Sequence, residues 1–572
     1  MAKRAVKALA VGATAAAAAG AVYTAKKSAK NMEIKRAERL IKAYDPQDRR
    51  AYFVGGGLAS MAGAAYLIRD ANFKGENIFI YEGKSILGGS NDGMGTPENG
   101  FVCRGGRMLN EETYENFWEL FSTIPSLEKP HKSVTEEILE FDQAHPTCAK
   151  ARLIDKNGKI VNVSSMGFKN EDRMALGKLM MTPEDQLDDL TIQDWFRETP
   201  HFFETNFWYM WQTTFAFQKW SSLFEFKRYM ERMLFEFSRI ETLEGVTRTP
   251  YNQYDSVILP IKKFLEDKGV NFVTNCVVKD IDFQNDSTIT ATSIHLESNG
   301  EEDVVYLKEK DLCLMTNGCM TDCATLGDYN TPAKMEATNP ISAELWSKVA
   351  EKKQVLGNPA PFFSKPEETN WESFTVTCKS DWLHKLIEEI SGNIPGSGAL
   401  MTFKDSNWLM SIVVAAQPHF INQPADEYIF WGYGLYTNTA GNYVQKPMRD
   451  CTGKEILEEL LYHLHLQEKE LEIKADIVNV IPCMMPYIDA QFQPRKKTDR
   501  PPVVPPTSVN FAMISQFVEI PEDMVFTEEY SVRAARIAVY QLLGLPEVKI
   551  CPVTPFKKNP IVLAKALKTA YR

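Results

Sequence analysis

Three consecutive glycines, Gly55-Gly56-Gly57, separate an apolar run, Arg50-Ala-Tyr-Phe-Val54, from a helical pattern that extends from Leu58 to Ala71. That order predicts a strand, a tight turn and a helix, because glycine tolerates both the backbone conformation and the close approach such a turn demands. A second strand pattern, Asn77 to Tyr81, ends at Glu82. Strand, glycine turn, helix, strand and acid form a dinucleotide-binding fingerprint in its proper context. Gly55 allows the turn, and Gly57 lets the backbone approach a pyrophosphate at the helix N-terminus. Ser60 stands where a third glycine is usual and is small enough for close packing, while Glu82 can accept from ribose hydroxyls.

The segments that follow point to FAD rather than NAD. Leu87-Gly-Gly-Ser90 comes directly after the second strand and offers Gly89 and Ser90; Arg104-Gly-Gly-Arg107 follows and offers Arg104, Gly106 and Arg107. Flavoproteins with two dinucleotide-binding domains use such turns beside the flavin. Later strand patterns supply Val278, Thr316 and Asn317, and Asn510 to Phe517 runs into Val525-Phe-Thr-Glu-Glu-Tyr-Ser-Val-Arg533 and a helix, a stretch that offers Thr527. Taken singly, these glycines are ordinary turn chemistry and these arginines ordinary surface charges. Their order is what carries the reading.

The chain has 572 residues, a net charge of −11 and a pI near 5.5, which argues against a nucleic-acid binder. Its ten cysteines contain no CxxC pair, and no metal site or disulfide framework is read from them. Residues Ala8 to Ala25 are uncharged and mostly alanine, with Lys3, Arg4 and Lys7 before them and Lys26, Lys27 and Lys30 after. This run reads as a weak membrane anchor or interfacial helix on the cytoplasmic side, with a cleavable signal or an alanine-rich surface helix as alternatives. At the other end, Leu563, Leu567 and Tyr571 share one helical face and Lys565, Lys568 and Arg572 another, an interfacial pattern that also suits a packed terminal helix.

Several strings together resemble the oleate hydratases, the family once called myosin-cross-reactive antigens. They are Arg104-Gly-Gly-Arg-Met-Leu-Asn110, Phe117-Trp-Glu-Leu-Phe121, Asn206-Phe-Trp208, Tyr251-Asn-Gln-Tyr254, Thr316-Asn-Gly318, Met485-Pro-Tyr487 and Phe526-Thr-Glu-Glu-Tyr-Ser-Val532. The resemblance implies an α/β two-dinucleotide-binding-domain flavoprotein: a Rossmann-like FAD domain, an inserted α+β substrate domain and a helical C-terminal tail. The expected division is an N-terminal lead-in over 1–45, a discontinuous FAD domain over 46–130, 250–335 and 500–550, a substrate domain over 131–249 and 336–499, and a basic tail over 551–572.

It also implies a reaction: water adds across a cis double bond of a long-chain unsaturated fatty acid, with FAD bound but without net redox chemistry. Tyr229 falls where the family has its proton-donating tyrosine. The family's water-activating glutamate is replaced by Met108, in a methionine-bearing branch; Glu111 and Glu112 follow and are the alternative bases, or else plain charges at a helix start. Gln253 and His419 match carboxylate-binding positions, whereas Val413 and Ala415 replace a family Thr-x-Asn pair. Expected partners are the fatty acid, water and a membrane surface; homodimerisation is left open. The rival functions are a flavin-dependent lipid oxidoreductase or isomerase, and a non-catalytic protein that binds FAD and lipid.

Overall fold

The computed structural model describes residues 49–572, apart from Arg107, Glu309 and Asn339. The expected N-terminal anchor therefore lies outside the described residues, as does Arg107.

Strand Ala51–Val54 is fully buried and forms the middle of a five-stranded sheet, in the order 511–513, 312–315, 51–54, 78–81 and 271–273. All four strand pairings are parallel, and Ala51 lies between Leu312 and Ile78 in register. Helix Leu58–Ala71 follows the glycine turn. Its small residues let it lie close to the sheet: a Cβ at Gly63 would fall 2.6 Å from the Phe53 ring. Ala59, Ala62, Ala64 and Ala65 are buried as well, so the helix is covered almost all round, as a helix between a sheet and a second helix must be. Helix Glu528–Leu543 contributes its own buried face of Val532, Ala535, Ala538 and Val539.

The other large sheet has seven strands, in the order 325–326, 477–485, 371–378, 428–434, 411–413, 401–403 and 153–154. Strand Trp371–Cys378, third in that order, pairs antiparallel on both sides. Because side chains alternate along a strand, its two faces serve different purposes. Phe374, Val376 and Cys378 fill a separate apolar cluster with helix Gly453–His463. On the opposite face, Thr377 Oγ1 accepts from Phe101 N at 3.0 Å and Thr375 Oγ1 accepts from Cys103 N at 3.3 Å, which ties this sheet to strand Gly100–Cys103. A three-stranded antiparallel sheet spans Cys276–Phe283, Ala291–Ser298 and Glu301–Tyr306. The Trp-, Phe- and Met-rich stretch becomes helices Asn206–Phe215 and Leu223–Arg232. The chain ends in helix Pro560–Ala570. No helix among the described residues is long and apolar enough to cross a membrane.

Candidate active site

The glycine turn has the geometry its sequence predicts. Gly55 adopts φ +96°, and its N–H donates to Tyr81 O at 2.8 Å. The N–H of Gly56 donates to Glu82 Oε2 at 2.8 Å, and Glu82 Oε1 accepts from Lys84 N at 2.9 Å. Glu82 thus closes the turn itself, and its spare lone pairs are what remain for a ribose. A Cβ at Gly56 would meet Leu87 Cδ2 at 2.6 Å, so this glycine is required by the protein's own packing. At Gly57 the nearest atom to a Cβ is Gly89 Cα at 3.8 Å, so the protein leaves this position open.

That opening belongs to a cavity of about 190 Å³. Of the expected cofactor residues, Gly57, Gly89, Ser90, Gly106, Thr316 and Thr527 border it. Thr316 Oγ1 is buried with no hydrogen-bond partner, as are the indole N–H groups of Trp371 and Trp431, which line the same cavity. Thr527 Oγ1 accepts from Tyr530 N at 3.2 Å and caps helix Glu528–Leu543, so the positive end of that helix starts at the cavity wall. Glu528 borders the cavity too, with Oε1 accepting from Asn91 Nδ2 at 2.6 Å.

Other expected cofactor residues support the site from outside it. Ser60 is wholly buried in the helix behind the turn. Asn317 donates to Phe517 O at 3.1 Å and accepts from Ser515 Oγ at 2.7 Å, holding the ends of two neighbouring strands together. Arg104 pairs with Asp92 at 2.8 Å and reaches Thr321 O at 3.3 Å. Val278 is buried in the three-stranded sheet and does not border the cavity.

Tyr229 and Met108 both line the cavity. Tyr229 is 2% exposed, and its hydroxyl donates to Val525 O at 2.6 Å. The rings of Phe215, Phe217 and Phe492 pack edge-on against it at 5.2, 5.0 and 5.8 Å. Burial, and then Tyr114 and nearby carboxylates, raise its phenol well above the ordinary value, so the phenol is neutral at physiological pH.

Glu111 and Glu112, the alternative bases, do not border the cavity. Asn110 Oδ1 accepts from Glu112 N and Thr113 N, both at 3.0 Å, a local turn that directs the two glutamates outward. Glu112 pairs with Arg239 at 3.0 Å, and Glu111 is exposed, its carboxyl raised by partial burial and by Asp142 and Glu112. Gln253 and His419, the pair expected to bind the carboxylate, also lie off the cavity. Gln253 Nε2 donates to Thr249 Oγ1 at 3.2 Å. His419 holds the loop through its main chain, its carbonyl accepting from Asn252 N at 2.9 Å and its N–H donating to Gln423 Oε1 at 2.7 Å. Burial and the Arg248 charge push the His419 imidazole down to about 4, so it is neutral. Val413 does border the cavity; Ala415 does not.

Sequence reasoning missed Thr213 and Thr214 at the end of helix Asn206–Phe215, Trp371, Trp431 and Tyr433 on the central strands, and Arg248. Trp431 and Tyr433 sit two apart on strand Tyr428–Gly434 and so share a face, a period-two signal that was available in the sequence. Arg248 lies in an irregular segment and had no such signal.

A family model described as the MCRA family matches residues 48–540. The chain is similar to a linoleate hydratase of Lactiplantibacillus plantarum, 40% identical over 564 residues that cover 91% of this chain and 98% of that protein. It is also similar to an oleate hydratase of Streptococcus pyogenes serotype M49 (strain NZ131), 38% identical over 514 residues, 87% of this chain and 86% of that protein. Among solved structures, an oxidoreductase from Methanosarcina mazei aligns with a TM-score of 0.47 at 12% identity, over 86% of this chain and 100% of its own.

Proposed function

Because the chain belongs to the MCRA family, we propose that it adds water across a cis double bond of a long-chain unsaturated fatty acid, giving a hydroxy fatty acid. The observation that carries this reading is the placement of the Tyr229 phenol: neutral, buried among aromatic rings and bordering a mainly apolar cavity that begins at a dinucleotide turn.

FAD is the cofactor this cavity suits. The open Gly57–Gly89 approach accommodates a pyrophosphate, and the unpartnered Thr316 hydroxyl and the start of helix Glu528–Leu543 offer a donor and a positive dipole end. Gly57, Gly89, Ser90, Gly106, Thr316 and Thr527 would hold it, with Glu82 toward the ribose. When bound it would supply position and charge beside the double bond rather than net electron transfer.

In the proposed reaction Tyr229 gives its proton to one alkene carbon. Phe215, Phe217 and Phe492 pack around the Tyr229 ring and shield it from bulk water, and Phe215, which borders the cavity, offers its ring to the developing cation. A water molecule then bonds to the other carbon, and the proton it releases restores the phenol. Among the described residues Met108, not a carboxylate, borders the cavity at the family's base position. The proton return to Tyr229 closes the cycle without an acid–base glutamate there.

Helix Pro560–Ala570 buries Ala566 and Thr569 and leaves Ile561 at 67%, Leu567 at 60% and the adjoining Tyr571 at 68% exposure, beside Lys565 and Lys568. This supports peripheral contact with an anionic membrane from which substrate is drawn. Truncation after Asn559 should weaken co-sedimentation with anionic vesicles; undiminished binding refutes that role for the helix.

The test of the function is incubation of the FAD-loaded protein, reduced and oxidised, with oleate or linoleate in isotopically labelled water. A hydroxy acid carrying the label is the expected product. No such product in either flavin state, from folded protein with FAD bound, overturns the proposal in favour of another lipid reaction or a binding protein.

A further inference from the structure

Among the described residues that border the cavity, one carries a basic side chain: Arg248. Its main chain is anchored, its N–H donating to Asp142 Oδ1 at 3.0 Å. Its guanidinium is barely used. Nη2 reaches Gly398 O at 3.4 Å, near the limit of a hydrogen bond, and Nε is buried with no partner. Asp142 acts on this charge from nearby but is bonded by the Arg248 backbone rather than by the guanidinium.

Arg152, close by in the same region, provides an internal comparison. Its Nε donates to Ile240 O at 3.1 Å, its Nη1 to Leu400 O at 2.6 Å and its Nη2 to Thr214 Oγ1 at 2.8 Å. Arg152 is thus fully engaged by the protein, whereas Arg248 keeps donors in hand. Burial pushes both guanidinium groups down to about 10, so both stay charged at neutral pH. Leu400, Val413, Trp431 and Met108 border the same cavity and offer Arg248 no counter-charge. A charge held against such a wall is costly unless an anion completes it.

We propose that Arg248 is the head-group anchor of this cavity: its guanidinium pairs with the carboxylate of the fatty acid while the alkyl chain lies along the apolar wall. The assignment rests on the fatty-acid reading of the site. Neutral donors do not supply this contact: Val413 borders the cavity without a hydrogen-bonding side chain, and Gln253 and His419 do not border it. An arginine suits the role, because its planar fork can grip both carboxylate oxygens at once. Arg248 also helps keep His419 neutral, so the carboxylate meets one cation here rather than two.

The experiment compares oleate, methyl oleate and oleyl alcohol on the FAD-loaded full chain, by equilibrium binding without turnover and by KM and kcat of hydration. Wild-type protein should prefer the acid over the ester and the alcohol. Arg248→Met should raise the oleate Kd and KM on the order of 10- to 100-fold and erase the acid-over-ester preference, with Arg248→Lys recovering part of it. FAD content and melting temperature report folding; if Arg248→Met fails to fold, Arg248→Lys and the wild-type acid-over-ester ratio still decide the matter. An unchanged preference in folded Arg248→Met, or no preference in wild type, overturns the assignment. Arg248-dependent oleate binding without any hydroxy acid would sink the hydratase reading and leave the anchor standing. Hydration with a preference indifferent to Arg248 would do the reverse.

Discussion

Replacing Tyr229 by Phe removes a single oxygen and keeps the ring. The edge-on packing with Phe215, Phe217 and Phe492 survives, since it involves the ring and not the hydroxyl. What is lost structurally is the 2.6 Å hydrogen bond to Val525 O, which leaves a buried carbonyl without that donor. Such a loss costs about 1–3 kcal/mol. A stability of about 5–15 kcal/mol leaves the variant almost entirely folded after that loss. Any large fall in rate is then chemical rather than a loss of native enzyme. General acid catalysis contributes about 10²- to 10⁴-fold, equivalent to about 3–5 kcal/mol of barrier, and Tyr229→Phe should lose that much in kcat. The assay is the initial rate of labelled hydroxy acid formation at saturating oleate, with flavin absorbance and thermal melting measured on the same preparation. A variant that keeps its FAD and turns over within about threefold of wild type, under 1 kcal/mol of barrier, would refute the assignment of Tyr229 as proton donor. The raised phenol adds a second check. Tyr229 remains protonated past the ordinary tyrosine range, so its own titration should cause no loss of rate between neutral pH and about pH 10.

The glycine turn should separate cofactor binding from folding. Gly57→Ala meets no protein atom closer than 3.8 Å and should fold but lose FAD, whereas Gly56→Ala collides with Leu87 at 2.6 Å and should lower the melting temperature as well; equal flavin content in Gly57→Ala and wild type would refute the pyrophosphate site. Glu111→Gln and Glu112→Gln should leave kcat within about twofold, since neither side chain borders the cavity and the Glu112–Arg239 pair is a partly exposed one worth under about 1 kcal/mol; a hundredfold loss in either would reinstate it as the base. Glu529 is buried in the first turn of helix Glu528–Leu543, and burial, only partly offset by Arg533, raises its carboxyl from 4.5 to about 7. A raised folded value means that its contribution to stability is fully present below about pH 4.5 and is lost as pH rises toward 7. Glu529→Gln cannot ionise, so the melting temperature of the variant relative to wild type should rise between pH 5 and pH 8; a difference that does not change with pH would refute this.

Much of the cofactor half was legible in the chain, because its information is local. The apolar run, the three glycines, helix Leu58–Ala71 and the strand ending at Tyr81 are set by neighbours a few residues apart, and the helix occupies the residues its pattern predicts. The late helix was readable for the same reason, from the run Val525 to Arg533, whereas the cap that Thr527 places on it is seen only in the structure. The substrate half was less legible. Asn110 turns the chain so that Glu111 and Glu112 face away from the cavity, a direction that spacing alone does not reveal. Gln253 and His419 match a pattern of residues, yet they are spent on holding a loop, while Arg248 carries the unspent charge. Sequence by itself determined the glycine turn and the strands and helix that flank it; Tyr229 came only from the family resemblance. Only the tertiary structure decided which side chains share the cavity: Tyr229 reaches Val525 across 296 residues, and Trp371, Trp431 and Arg248 converge from segments with no local relation. Periodicity records which face of an element is buried, but a cavity is formed by several buried faces at once, and their meeting is a property of packing.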